Sequence, residues 1–188
     1  MNTRRSLTTK KIVLVALLAA LTVVGSGLRI VIPISIAGTT AFHLGNVICA
    51  LSGILLGPWL GGLAAGLGSA IHDMFNPLYI SEAWLTFLMK GTYGLMAGMV
   101  IRWGKGSWGY GKATLAASAG ALTYAILYLA KSFIKAVWVQ GVAASGALIV
   151  VGEKLPATVF NGAVAVIFAP ILATAIRTAL KKNHLSLE

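Results

Sequence analysis

Polar side chains are sparse along this chain, and they divide it into apolar runs. Runs long enough to cross a hydrocarbon core, about 20 residues, cover about 11–32, 82–101, 112–137 and 156–180. Two shorter ones, about 42–56 and 59–75, are separated by Gly57-Pro58, a tight-turn pair. The pattern predicts six transmembrane helices in a single membrane domain over 1–188, with the second and third joined as a helical hairpin. Pro33 ends the first run, and "ISIAGTTA" beside it reads as an outer loop. Asn76-Pro77 separates the third run from the fourth. The sixth span is expected to start at Pro156, since proline suits the first helical turn. Before it, 141–154 ("GVAASGALIVVGEK") is apolar but short and broken by glycine, and reads as a re-entrant or interfacial segment.

Composition turns this pattern into a solvent assignment. Hydrophobic residues make up 58% of the 188 and charged residues only 10%, with a mean hydropathy of +0.89. A soluble domain carries about 25% charged residues, so the expectation is an all-α integral membrane protein. The N-terminal "MNTRRSLTTKKIVLVALLAALTVVG" has the look of an export signal. Its apolar run continues past Gly25 without a small-x-small cleavage site, which favours a retained first helix. The single cysteine, Cys49, excludes an intrachain disulfide and reads as a packing residue.

The net charge of +11 would point to nucleic acid in a soluble protein. Here the bases sit at the ends of apolar runs, where they act as topology signals and contacts to anionic lipid, so no nucleic-acid partner is expected. With six spans, Arg4, Arg5, Lys10, Lys11, Arg102, Lys105, Lys112, Arg177, Lys181 and Lys182 fall on one side, ten of the fifteen basic residues. The positive-inside rule makes that side the cytoplasm and puts both termini there. The location expected is the cell membrane, multi-pass, of the bacterial cytoplasmic type.

This topology gives each polar residue a depth, and most gather at the outer end. His43 and Asn46 open span two on one face, His72 and Asp73 close span three, and Asn161 lies one to two turns inside span six. Lys90 is deeper, near the middle of span four. Polar groups in hydrocarbon cost several kcal/mol unless paired or wetted, so their convergence marks a cup open to the outside. On span five Tyr124, Tyr128, Lys131 and Lys135 share one face, two rings followed by two ammonium groups. Such a stripe could stack on a flat ring and attract an anionic or carbonyl-bearing tail; the alternative is interfacial tyrosines with snorkelling lysines. Gly62, Gly66, Ser69 and Asp73 also share a face, which lets a neighbouring helix approach and aims Asp73 into the bundle. A buried carboxylate needs a partner, and Lys90 is the expected one, as a structural pair. Arg29 reads as an anchor at the outer end of span one, and Glu153 and Lys154 as a cap or gate before span six. The histidines read as helix-end hydrogen bonders, and no metal site or cofactor is expected. Nucleotide-binding loops, nucleophile elbows and metalloprotease motifs are absent from the sequence, so the chain is not expected to be an enzyme.

"AFHLGNVICALSGILLGPWLGGLAAGLGSAIHDMFNP" and "TFLMKGTYGLMAG", spanning Phe42 to Gly98, resemble the substrate-binding S component of energy-coupling factor (ECF) transporters, in the group handling riboflavin, hydroxymethylpyrimidine and pantothenate. The resemblance implies a six-helix S-component-like bundle and an outward-facing pocket for a water-soluble vitamin or precursor. It also implies an ABC-type import system in which a membrane scaffold subunit and two cytoplasmic ATPase subunits supply the energy. An A-x-x-x-A pattern in the first helix serves scaffold docking in this family, and "ALLAA" supplies Ala16 and Ala20 at that spacing; ordinary packing within the bundle is the other reading. No ligand signature of a thiamine or biotin member is present. The ligand contacts expected are Tyr124, Tyr128, Lys131, Lys135 and Asn161, with His43, Asn46 and Lys90 beside them. Two other functions fit the same residues: an autonomous ion-coupled secondary transporter using Asp73, and a membrane scaffold that carries no solute.

Overall fold

The computed structural model describes residues 9–34, 39–104 and 108–183. Arg4, Arg5 and Lys105, three of the basic residues used to orient the chain, lie outside them, as does part of the expected outer loop, 35–38. The described residues form helices α1 (Thr9–Gly27), α2 (Gly45–Leu56), α3 (Pro58–Met74), α4 (Ala83–Arg102), α5 (Tyr110–Ile134) and α6 (Ala144–Lys182). A two-stranded hairpin, β1 (Arg29–Pro33) and β2 (Thr39–His43), stands between α1 and α2. A single 3-10 turn (Ile80–Glu82) leads into α4, and one π-helical turn (Lys135–Val139) extends α5.

The outer surface is apolar where a soluble protein would be charged. Ile12, Val13 and Leu17 of α1, Leu122 and Ile126 of α5, and Ile167 and Phe168 of α6 are all exposed. Among the described residues, four helices are long and apolar enough to cross a membrane: α1, α4 with its leading turn, α5 with its π turn, and α6. Exposed tryptophans, Trp84 and Trp103, stand at the two ends of α4, a placement that suits water–lipid boundaries. Their separation of 19 residues is about 29 Å of helix, close to the thickness of a hydrocarbon core.

Inside, small residues set how closely the helices approach, beside a core that also buries Leu18, Leu51, Ile54 and Tyr93. A β-carbon on Gly61 would lie 2.5 Å from the Gly53 α-carbon, and one on Gly94 would lie 2.6 Å from the Gly61 carbonyl oxygen. Backbone cannot yield as a side-chain tip can, so α2, α3 and α4 pack at a separation that only glycine permits. Gly57 meets two demands at the α2–α3 turn: its φ is +81°, and the Arg102 guanidinium lies where a β-carbon would stand. Arg102 donates to the Leu56 carbonyl there at 3.1 Å, satisfying one of the end carbonyls of α2.

The fold corrects three sequence-based expectations. Residues 29–32, expected to complete span one as helix, form strand β1, and Phe42 and His43, expected to start span two, end β2. The strands pair antiparallel with Arg29 opposite His43 and Pro33 opposite Thr39. The physical reason is the β-branched run Ile-Val-Ile before a proline, which favours extended backbone. Residues 144–154 are neither re-entrant nor separate, because they are the first three turns of α6, which carries Pro156 and Pro170 in its interior. Ala147 and Val150 of that extension are buried against Ala136 of the π turn, with Ile34, Phe133 and Val142 around them. This packing holds the helix together across Pro156, which would otherwise mark its start.

Candidate functional site

Because α2 has only 12 residues, about 18 Å of helix, it starts well below the level at which α3 and α4 meet. The hairpin arches over the gap, leaving a cavity of about 260 Å³ at the end of the bundle where α1 finishes and α3 turns into α4. Each of the eight expected contact residues lines it: His43, Asn46, Lys90, Tyr124, Tyr128, Lys131, Lys135 and Asn161. So do Arg29, Asp73, Glu82 and Lys154.

The floor is built on Lys90. It is 4% exposed, its ammonium donates to Asn46 Oδ1, and it lies 3.9 Å from the centroid of the Tyr124 ring. The cation faces the negative π-surface of the tyrosine, a favourable placement that is not an ion pair. Tyr124 stacks on Tyr128 at 5.7 Å, and the two rings form one wall of the cavity; behind them the fully buried Tyr93 of α4 stacks on Tyr124 at 5.9 Å. The expected Asp73–Lys90 pair is not formed. Gly62 packs on Gly91 and Gly66 on Phe87 across the α3–α4 contact. That register carries Asp73 more than a turn along the bundle from Lys90, toward the α3–α4 connection.

Asn161 is already engaged. Its Oδ1 accepts from the His43 backbone N–H at 2.9 Å, and its Nδ2 donates to the Ala41 carbonyl at 2.8 Å. The carboxamide thus clamps β2 to α6, and Phe42 meets Phe160 edge-on at 4.8 Å beside it. Replacing Asn161 with alanine leaves two backbone groups unpaired, each costing about 1–3 kcal/mol. The expected results are a lower thermal midpoint and faster hydrogen exchange at the His43 amide; unchanged exchange there would refute the clamp.

His43 ends β2, outside the membrane-spanning helices. Burial above all, then the nearby charge of Lys90, His72 and Arg29, holds its imidazole well below the usual histidine range. Its Nδ1 faces the Gly45 backbone N–H at 3.2 Å and accepts from it. The neutral ring therefore carries its proton on Nε2, where it is a hydrogen-bond donor.

At the rim, the Glu82 carboxylate pairs with both Lys131 and Lys135, one oxygen to each. Tyr79, in the same α3–α4 connection, shares a hydrogen bond of 2.7 Å with the Thr39 hydroxyl and lies under the Arg29 guanidinium at 5.2 Å. Sequence reasoning missed the role of Glu82; the available signal was its rarity, as one of four acidic residues at the start of a span. Tyr93 was missed as well, although it follows Lys90 by three positions and so shares its helical face. Ala16 and Ala20 lie far from the cavity, both exposed on α1, while Val15, Leu18, Ala19 and Thr22 take its buried side. The described residues contain no group of three or more His, Cys, Asp or Glu side chains placed to hold a metal ion.

A family model for the ECF-type riboflavin transporter S component matches residues 6–178. The chain belongs to that family. An S component is the substrate-binding subunit of a vitamin transporter, not an enzyme, and it works in association with an ECF module of scaffold and ATPases. This S component is a multi-pass membrane protein, in agreement with its four long apolar helices. It is also 32% identical over 115 residues to an uncharacterized protein in a gap 3' region of Pyrococcus woesei, a match covering 61% of this chain and 72% of the relative.

Proposed function

We propose that this S component captures a flat, water-soluble vitamin of the riboflavin type at the outer face of the membrane and passes it to an ATP-driven scaffold and ATPase module. In this reading the chain is a single six-span unit with both termini cytoplasmic, and the cavity opens outward. The observation that carries it is the convergence of Lys90, Asn46, His43 and the tyrosine wall in one cavity at the end of the bundle away from Thr9 and Lys182. Each has a part suited to a heteroaromatic ligand. The Tyr124–Tyr128 wall offers an apolar face for a ring, and Lys90, Asn46 and His43 Nε2 offer donors for ring carbonyls and nitrogens. Lys131 and Lys135 stand at the rim for the polar tail, and Asn161 holds the hairpin over the site. Asp73 lines the cavity and helps to shape its wall.

The test uses protein purified in detergent. Mass spectrometry of what it retains, and quenching of flavin fluorescence on titration with riboflavin, should both report a bound vitamin at about one per chain. Uptake into vesicles by the chain alone, driven by an ion gradient, would instead establish a secondary transporter. Protein that holds no vitamin and quenches no flavin would remove the reading.

A further inference from the structure

A second cavity, of about 340 Å³, lies where the end of α1, the base of the β-hairpin and α6 meet. Five of its lining side chains are apolar, from Leu28, Ile30, Phe42, Leu44 and Phe160, and all of these but Phe42 are exposed. Arg29 and His43, partners across the hairpin, complete the lining and border the first cavity as well. The walls of this groove are fastened on both sides. The Leu44 backbone N–H donates to the Gly25 carbonyl at 3.0 Å, which ties the start of α2 to α1, and the Asn161 carboxamide holds β2 to α6. A groove with fixed walls takes a ligand with little reordering. The charge at its head is unmatched. The ion pairs of the first cavity, Lys131 and Lys135 with Glu82, leave Arg29 out, and the Tyr79 ring under its guanidinium supplies no anion.

We propose that this groove binds one anionic phospholipid of the surrounding bilayer, with an acyl chain along Phe42 and Phe160 and the phosphate on Arg29. The solvent at this surface selects the occupant. The chain is a multi-pass membrane protein, and on α6 Phe160 precedes Lys182 by 22 residues, about 33 Å of helix. A hydrocarbon core is about 30 Å thick. With Lys182 at one boundary, the groove therefore opens at the other, where acyl chains meet phosphates. A guanidinium binds phosphate through paired hydrogen bonds, and at this boundary the attraction is screened less than in bulk water. A zwitterionic headgroup carries an ammonium beside its phosphate, which Arg29 repels, so the preference is for a headgroup of net negative charge. Ile30 and Phe42 are cross-strand partners, so the seated lipid would brace the base of the hairpin against α6.

The probes are phosphatidylglycerol and phosphatidylcholine with the same acyl chains, added to the delipidated full chain in nonionic detergent and read by native mass spectrometry. One phosphatidylglycerol per chain is expected, held about tenfold more tightly than phosphatidylcholine. Arg29→Gln should bring the two lipids level. Leu28→Trp, at an exposed position, fills the groove and leaves the charge in place; it should weaken both lipids together. Phosphatidylglycerol with a photoactivatable acyl chain should label the peptides that hold Phe42 or Phe160. Glycerol 3-phosphate, which has the phosphate and no acyl chain, should not displace the lipid; displacement would make Arg29 a seat for free phosphate and overturn the groove. Equal retention of the two lipids, a preference that Arg29→Gln leaves unchanged, labelling confined to other segments, or a second copy of the chain bound in place of lipid would each overturn it as well. No flavin enters this experiment, so the vitamin-binding reading stands or falls separately.

Discussion

Ala16→Leu is expected to abolish vitamin uptake while ligand binding stays at the level of the unmodified chain. Ala16 and Ala20 lie one turn apart on the exposed side of α1, and the buried side is taken by Val15, Leu18, Ala19 and Thr22. A larger side chain at position 16 therefore meets no neighbour inside the bundle. Small residues four apart on an exposed membrane helix let a second helix approach closely, and one leucine is enough to hold that helix away. The proposed binding site lies beyond Gly27, at the end of the bundle away from Thr9, so the two readouts separate. The measurement pairs flavin binding in detergent with uptake in vesicles that also contain the scaffold and ATPases. Ala16→Ser should transport normally; if Ala16→Leu does too, the docking face is elsewhere.

Lys90→Met should lower vitamin affinity by about 10- to 100-fold, the loss of a charge-assisted hydrogen bond worth about 1.5–3 kcal/mol. The thermal midpoint of the free protein should stay level or rise. The two effects differ in sign for one reason. The Lys90 ammonium is 4% exposed and is held by a carboxamide oxygen and a ring face, with no carboxylate paired to it. Burying a charge against dipoles alone is costly, and methionine fills a similar volume without that cost. The Asn46 oxygen loses a donor in exchange, which limits the gain. An ammonium has three donors, and a ligand acceptor can supply what the cavity walls leave unmet. A variant that unfolds at lower temperature yet binds with full affinity would make Lys90 a structural residue.

Much of the architecture was legible along the chain. The α2–α3 hairpin, the turn at Gly57-Pro58 and the extents of α3 and α4 follow from apolar run length and from the glycine and proline positions, which are local signals. The one-faced spacing of Tyr124, Tyr128, Lys131 and Lys135 was legible for the same reason: helical period alone brings them together on α5. The β-hairpin was hidden because Arg29–Pro33 is as apolar as the helix before it, and hydropathy does not separate strand from helix in a short run. Pro156 misled because its usual place is a helix start, and the packing that carries α6 through it comes from the distant π turn.

The sequence by itself determined the solvent, the helices and the residues that would meet at one end, since these depend on composition and on periods of a few residues. Only the tertiary structure decided which of them are partners. Lys90 takes Asn46 and Tyr124 instead of Asp73, Glu82 divides itself between two lysines, and Asn161 spends its carboxamide on a strand. Pairing depends on the sliding register of one helix against another. That register is set by where glycine backbones touch, and no local period in the chain encodes it.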